Sequence, residues 1–105
     1  MKLKLTDIGT PIAERQLVGR ENGRECNVIV RIGTPFHDEN NQSSWYCPYS
    51  IEVGSTQRLF YGAGVDSVQA LRIAISMIET ELTNTFRHLD LRWMGESDLG
   101  FSKEL

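Results

Sequence analysis

The sequence predicts an α+β domain: a four-stranded, mainly antiparallel sheet of two hairpins, one long C-terminal helix packed on one face, and a short C-terminal strap. Three observations carry this expectation. Two alternating runs flank Asn22-Gly23, a dipeptide suited to a tight turn with positive φ at both positions. A third alternating run, Trp45 to Val53, turns through Gly54, Ser55 and Thr56 into a fourth. At Val68 the apolar period then changes from two to three and four.

Residues 12–20 and 25–32 make the first hairpin. In its second run Cys26, Val28, Val30 and Ile32 alternate with Glu25, Asn27, Ile29 and Arg31, a half-buried pattern that turns Cys26 inward. Residues 33–44 are polar and turn-rich, with only Phe36 to bury, and read as a long mobile surface loop. Beyond it Trp45, Cys47, Tyr49, Ile51 and Val53 share one face, and Tyr46, Pro48, Ser50 and Glu52 the other. Pro48 has no N–H for a ladder, yet a meander makes this strand central, so a bulge or an interrupted ladder is expected there.

In residues 57–63, Leu59 and Tyr61 alternate with Arg58 and Phe60, and the latter pair is assigned to the outer face. From Val68, residues Leu71, Ile75, Ile78, Leu82, Phe86 and Leu89 recur at helical spacing, opposite Gln69, Arg72, Ser76, Glu79, Thr83 and Arg87. That is an amphipathic helix of about six turns. Ala70, Ala74 and Met77 widen its apolar face, and Arg87 and His88 suit its C-terminal dipole. Glu79 and Glu81 read as surface charges. In the tail, Leu89, Leu91 and Trp93 form a short strand or an apolar strap, with Leu99 and Phe101 as a second anchor.

A chain of 105 residues suits a single domain, residues 1–105, with one core. Its net charge of −3 is spread without a basic stripe, which argues against nucleic-acid binding. No run approaches the roughly 18 apolar residues of a membrane span, and the start lacks the apolar region of a signal peptide. A cytoplasmic location follows, with Cys26 and Cys47 as reduced thiols. Two cysteines and two histidines far apart make no metal motif, and no cofactor is expected.

The stretch FYGAGVDSVQALRIAI, residues 60–75, looks at first like a phosphate cradle. It lacks the lysine of a phosphate loop, and Ser67 stands where a dinucleotide fingerprint needs its third glycine. Asp66 sits where the helix begins and would accept from the free backbone N–H groups that a phosphate would use. Gln69 completes a capping box, Val65 and Ala70 make a weak hydrophobic staple, and the glycines turn the chain out of the strand. The helix-start reading is therefore preferred. Cys47 has apolar neighbours that favour a neutral thiol over a nucleophile. His37, Asp38 and Glu39 are adjacent loop residues, better read as solvated than as metal ligands. No catalytic residue and no metal ligand is assigned.

The functional hint lies on the outer sheet face. Ile29, Tyr46 and Phe60, rimmed by Arg31 and Arg58, would form an apolar patch for a protein partner or a second copy of the chain. A small-molecule pocket between sheet and helix, near Trp45, Tyr49 and Trp93, is the alternative.

The chain also resembles a family of small bacterial proteins known only as a domain of unknown function. The resemblance rests on IAERQL, the strand ending VRIGTP, Trp45 and Cys47 of WYCPY, GVDSVQAL, LRWMG and DLGF, and spans residues 12–101. It implies a one-domain bacterial protein and makes the glycine–aspartate–glutamine segment a family feature. It implies no activity, substrate or catalytic residue.

Overall fold

Asn22 and Gly23 both adopt left-handed backbone, φ 53° and 78°, and close β1 (Pro11–Glu21) onto β2 (Arg24–Gly33) as the dipeptide predicts. The chain, described here by a computed structural model over residues 5–40 and 44–101, continues through β3 (Phe36–His37), β4 (Trp45–Val53) and β5 (Thr56–Gly64). Helix α1 (Ser67–Asn84), a 3₁₀ turn at Arg87–Leu89 and an extended tail complete it. The fold is α+β as expected, with five antiparallel strands rather than four.

The additional strand comes from the segment read as a loop. Phe36 and His37 pair with Tyr46 and Trp45, and their side chains meet those partners: the Phe36 and Tyr46 rings lie 5.7 Å apart, and His37 stacks on Trp45 at 5.0 Å. Two residues in a polar stretch are too few for a visible period. The mobility expected of residues 41–43 lies outside the described residues.

Pro48 behaves as anticipated. On one side of β4 the β2 ladder covers Tyr49 to Val53, and β3 resumes at Tyr46 and Trp45. Pro48 falls in the gap between them, while the β5 ladder on the other side runs unbroken. A residue without an N–H is thereby accommodated in the central strand.

Inner-face parity holds for β2 and β4. Val28, Val30, Ile32, Cys47, Tyr49 and Ile51 are buried and form the core with Leu17, Ala70, Ala74, Ile78, Leu82 and Leu89. In β5 the parity is the reverse of the expectation. Residues opposite each other across an antiparallel pair share a face. Tyr49 faces Phe60, Ile51 faces Arg58, and Cys47 faces Gly62. Arg58 and Phe60 thus lie on the helix side, and Leu59 and Tyr61 on the outer side.

Gly62 and Gly64 do not turn the chain either, for both are strand residues of β5. They are the floor on which α1 rests. A Cβ on Gly62 would overlap the Ala74 backbone, and one on Gly64 would stand 2.6 Å from the Ala70 nitrogen. Small residues on both elements allow backbone to approach backbone.

Helix α1 starts where the capping chemistry puts it. Asp66 accepts from the Gln69 N–H at 2.8 Å, and Gln69 Oε1 accepts from Val65 N at 2.7 Å, one residue before the usual return bond of a capping box. The helix has 18 residues, shorter than the six turns expected. Near its end, Thr83 Oγ1 bonds the Glu79 carbonyl and Asn84 Nδ2 the Thr80 carbonyl. Such side chains compete for the backbone. The Phe86 N–H then reaches back to the Glu81 carbonyl, Arg87–Leu89 tightens to a 3₁₀ turn, and Asp90 goes left-handed at φ 48°.

A Gly62→Ala substitution is expected to destabilise the fold by about 3 kcal/mol, at the upper end for overpacking, because the helix backbone cannot yield as a side chain could. Gly54→Ala, whose Cβ meets nothing within 4 Å, should cost less despite its positive φ. Urea midpoints of the two variants provide the comparison.

Candidate functional site

The outer face of the sheet is divided into two parts. In its middle rows, around Glu14, Arg31 and Glu52, it is polar. Arg31 lies between Glu14, at 2.8 Å, and Glu52, so a residue expected at the rim of a patch is engaged in two ion pairs. Hydrogen bonds from Gln16 and then Arg31 hold the Glu14 carboxyl below its usual range. Ile29, partly buried, sits among these groups opposite Gln16 and Glu52. Its row is six β4 residues from Tyr46, about 20 Å along the strand. Of the three residues expected to align, Ile29 thus stands apart, while Phe60, though rooted on the other face, brings its ring to 4.7 Å from Tyr61, which packs on Tyr46.

At one end the outer face is aromatic. Tyr46 packs edge-on against Tyr61, ring centroids 5.2 Å apart, and against Phe36, which is 37% exposed. Pro48, opposite Tyr61, is fully buried beside this group, and Leu59 lies opposite Ser50. The α1 contacts with β4 and β5 lie on the opposite side, over Gly62 and Gly64. Tyr46 thus belongs to a surface cluster with Phe36 and Tyr61, which parity reasoning had not grouped with it, and Phe60 joins it through Tyr61.

On the inner face, α1 covers β4 and β5, and the tail covers β1 and β2. The tail touches the β1 edge through paired bonds between Val18 and Arg92, 2.9 and 2.8 Å. Arg15 then fastens its far end. Its guanidinium donates to the Leu99 and Gly100 carbonyls at 3.1 and 3.0 Å, and lies over Trp93 at 3.8 Å and Phe101 at 4.8 Å. Gly100, at φ +77°, has no room for a side chain because Trp93 lies against it. The strap alternative for the tail is the one observed, with Leu91 and Leu99 buried.

A cleft of about 360 Å³ remains at the seam between helix and strap. Ala13, Val30, Ile32, Ile75 and Phe101 line it, with Arg15 at one wall. It lies between sheet, helix and strap as the alternative reading anticipated, but not on the residues named for it. Tyr49 is fully buried beneath α1, Trp45 stacks on His37, and Trp93 reaches the cleft only through Arg15. The sequence carried no sign that Arg15 faces inward, since an arginine at an apolar parity position reads as an interruption.

Glu81 is not a surface charge. Its carboxylate, 11% exposed, accepts from the Tyr49 hydroxyl and the Arg58 guanidinium. Burial, followed by the bond to Glu81, raises the Tyr49 hydroxyl well above its ordinary range. The bond to Glu81 likewise raises Arg58. The triad ties β4, β5 and α1 together, and Arg58 is thereby drawn from its expected place on an outer rim.

Cys26 and Cys47 are free thiols at opposite ends of the sheet. By the β2–β4 register they stand eight positions apart, about 25 Å. Burial pushes the Cys47 thiol up to about 11, and its sulfur lies 3.7 Å from the Gly33 carbonyl. These are the surroundings of a neutral core thiol. Among the described residues no group of three or more His, Cys, Asp or Glu is placed to hold a metal ion. No described helix is long and apolar enough to cross a membrane. Asp66 is committed to its cap, so the segment 60–75 offers no vacant helix start to an anion.

Fold and surfaces together define a small helix-on-sheet α+β domain with an aromatic outer corner and an arginine-fastened strap. Residues 13–103 match the family described as Domain of unknown function (DUF6968), and the chain belongs to that family. No curated protein and no solved structure matches it. The matched span includes both Arg15 and Phe101, so the strap and its fastening lie within the family domain.

Cys47 gives the fold a defined alkaline limit. The folded state keeps a proton that the unfolded chain releases above its ordinary value of 9.0, so this stabilisation is complete below that pH and lost as pH rises through about 11. In that window stability should fall by about 1.4 kcal/mol per pH unit. Tyr49 adds to the loss above its own ordinary value of 10.0. Urea midpoints across the window should show Cys47→Ala with a shallower decline than wild type. An identical decline would contradict the assignment.

Proposed function

We propose that the chain is a non-enzymatic protein-interaction module whose contact surface is the aromatic corner of the outer sheet face. The observation that carries this reading is the contiguous group Phe36, Tyr46 and Tyr61, ring against ring on a side that α1 leaves uncovered. Tyrosine and phenylalanine are enriched in interface cores, and a polar surround of the kind formed by Glu14, Arg31 and Glu52 is the usual rim. The ion-paired Arg31 and the half-buried Ile29 belong to that rim, Phe60 borders the corner through its ring contact with Tyr61 at 4.7 Å, and Arg58 lies outside the surface. The proposed setting is the bacterial cytoplasm, where two free thiols would remain reduced.

The test is retention of a specific partner from the native host by the tagged chain. Phe36→Ser with Tyr46→Ser should weaken that complex at least tenfold, about 1.4 kcal/mol, while the fold persists by circular dichroism. A partner held equally well by the double variant would contradict the reading, as would an empty result at several salt concentrations.

The cleft supports a second reading, a site for a small apolar anion. Its volume of about 360 Å³ suits such a ligand, and its walls are mainly apolar with one cation, Arg15, and one carboxylate, Glu14, which Gln16 and Arg31 already engage. Anilinonaphthalene sulfonate should bind saturably and quench Trp93. Ala13→Trp, which fills the cleft from an exposed position, should abolish both effects. Unchanged binding by that variant would remove the cleft from consideration.

A further inference from the structure

The two long edges of the sheet are treated in opposite ways. β1 begins with Pro11, carries a register shift between Pro11 and Ala13, and is bridged by the tail at Val18. Prolines, bulges and covering segments are the devices by which natural sheets block edge-to-edge pairing. β5 has none of them. It runs in unbroken register from Thr56 to Gly64, contains no proline or lysine, and pairs only with β4 among the described residues. The turn through Gly54 and Ser55 makes Val53 and Thr56 a hydrogen-bonded pair. By alternation, the backbone N–H and C=O groups of Gln57, Leu59, Tyr61 and Ala63 then point away from β4.

We propose that this edge pairs with the same edge of a second copy, joining two sheets into one continuous antiparallel sheet about a two-fold axis at Phe60. An isologous contact requires that β5 be complementary to its own reverse, and in this register it is. Phe60 faces Phe60 of the second copy, Leu59 faces Tyr61, Gln57 faces Ala63, and Thr56 faces Gly64. The one charged residue, Arg58, faces Gly62 rather than another arginine, and its guanidinium is already bonded to Glu81. About eight inter-chain hydrogen bonds would satisfy the outward backbone groups.

The helices fit the same symmetry. α1 runs antiparallel to β5: it rests on Gly64 at Ala70 and on Gly62 at Ala74, and Glu81 reaches Arg58. Glu81 also bonds Tyr49 of β4, so the helix starts over β5 and ends over β4. Across the axis, the start of one helix would stand beside the end of the other, two strand spacings away. That is about 10 Å, the distance at which helices pack. Phe60 and Ile73, 38% and 36% exposed, lie along this border with Met77, and would be covered there. This edge adjoins the aromatic corner through Tyr61, whose ring touches both Phe60 and Tyr46, and variants tell the two proposals apart: Phe36→Ser with Tyr46→Ser changes the corner and leaves β5 itself unaltered.

Sedimentation equilibrium of the full chain, on the order of 100 µM, is expected to give twice the 11.9 kDa chain mass. Phe60→Glu and Phe60→Lys each set like charges face to face at the axis and should return the single-chain mass with helical circular dichroism retained. An equimolar mixture of the two should recover the double mass. Ala63→Pro, which removes one outward N–H, should weaken the dimer at least tenfold and is read independently of the charge variants. A monomeric wild type overturns the proposal, as does a dimer that survives Phe60→Glu or a mixture that stays monomeric. Loss of the dimer in the Phe36→Ser, Tyr46→Ser variant would move the contact to the outer face and also overturn it.

Discussion

The approach of α1 to β5 is the constraint from which the rest of the architecture follows. Gly62 and Gly64 meet Ala70 and Ala74 with no side chain between them, so the helix starts close upon β5 and passes toward β4 at its end, where Glu81 bonds Tyr49. So placed, it covers β4 and β5 and leaves β1 and β2 without a roof. Leu17, Val28 and Val30 are nevertheless buried, because the strap completes the cover with Leu89, Leu91 and Leu99. The cleft marks the seam where one short helix and one strap together cover a five-stranded sheet.

Three arginines close the joints that apolar contact leaves open, each differently. Arg58 meets a largely buried carboxylate that also satisfies a buried tyrosine, so its loss would strand Glu81 and Tyr49 in a dry site. Arg31 spans three strands at the surface, where solvent screens ion pairs and their net contribution is small. Arg15 works mainly through its planar shape, bonding two carbonyls while lying over two aromatic rings. A lysine there would keep the charge and lose that geometry.

Much of the fold could be read from the chain, and the failures have physical causes. Alternation identified the inner faces of β2 and β4 because Val28, Val30, Cys47 and Ile51 are both apolar and buried. In β5 the same logic inverted, since the inward positions that a helix contacts most closely are glycines and carry no hydrophobic signal. Leu59 and Tyr61 therefore looked like the core side when they face outward. Glu81 looked like solvent because a buried carboxylate is recognisable only beside its partners, and those come from two other strands. The cap at Asp66 was legible because capping is local: donor and acceptor lie three residues apart. The aromatic corner was half visible in Tyr46, while Phe36 was hidden in a strand of two residues.

The bond from Arg15 to the strap spans 85 positions, nearly the whole chain. During synthesis the β1–β2 hairpin emerges well before the strap, with Leu17, Val28 and Val30 on a face that the strap does not yet cover. Its roof is made of residues 89–99, far along the chain from the hairpin, so that face cannot close until translation has passed Leu99. Contacts this distant in sequence slow folding and lengthen the exposure of apolar strands. The nascent chain should therefore depend on holdase chaperones more than its 105 residues would suggest. Truncation before Leu89 would leave a hairpin with no means of completing its core.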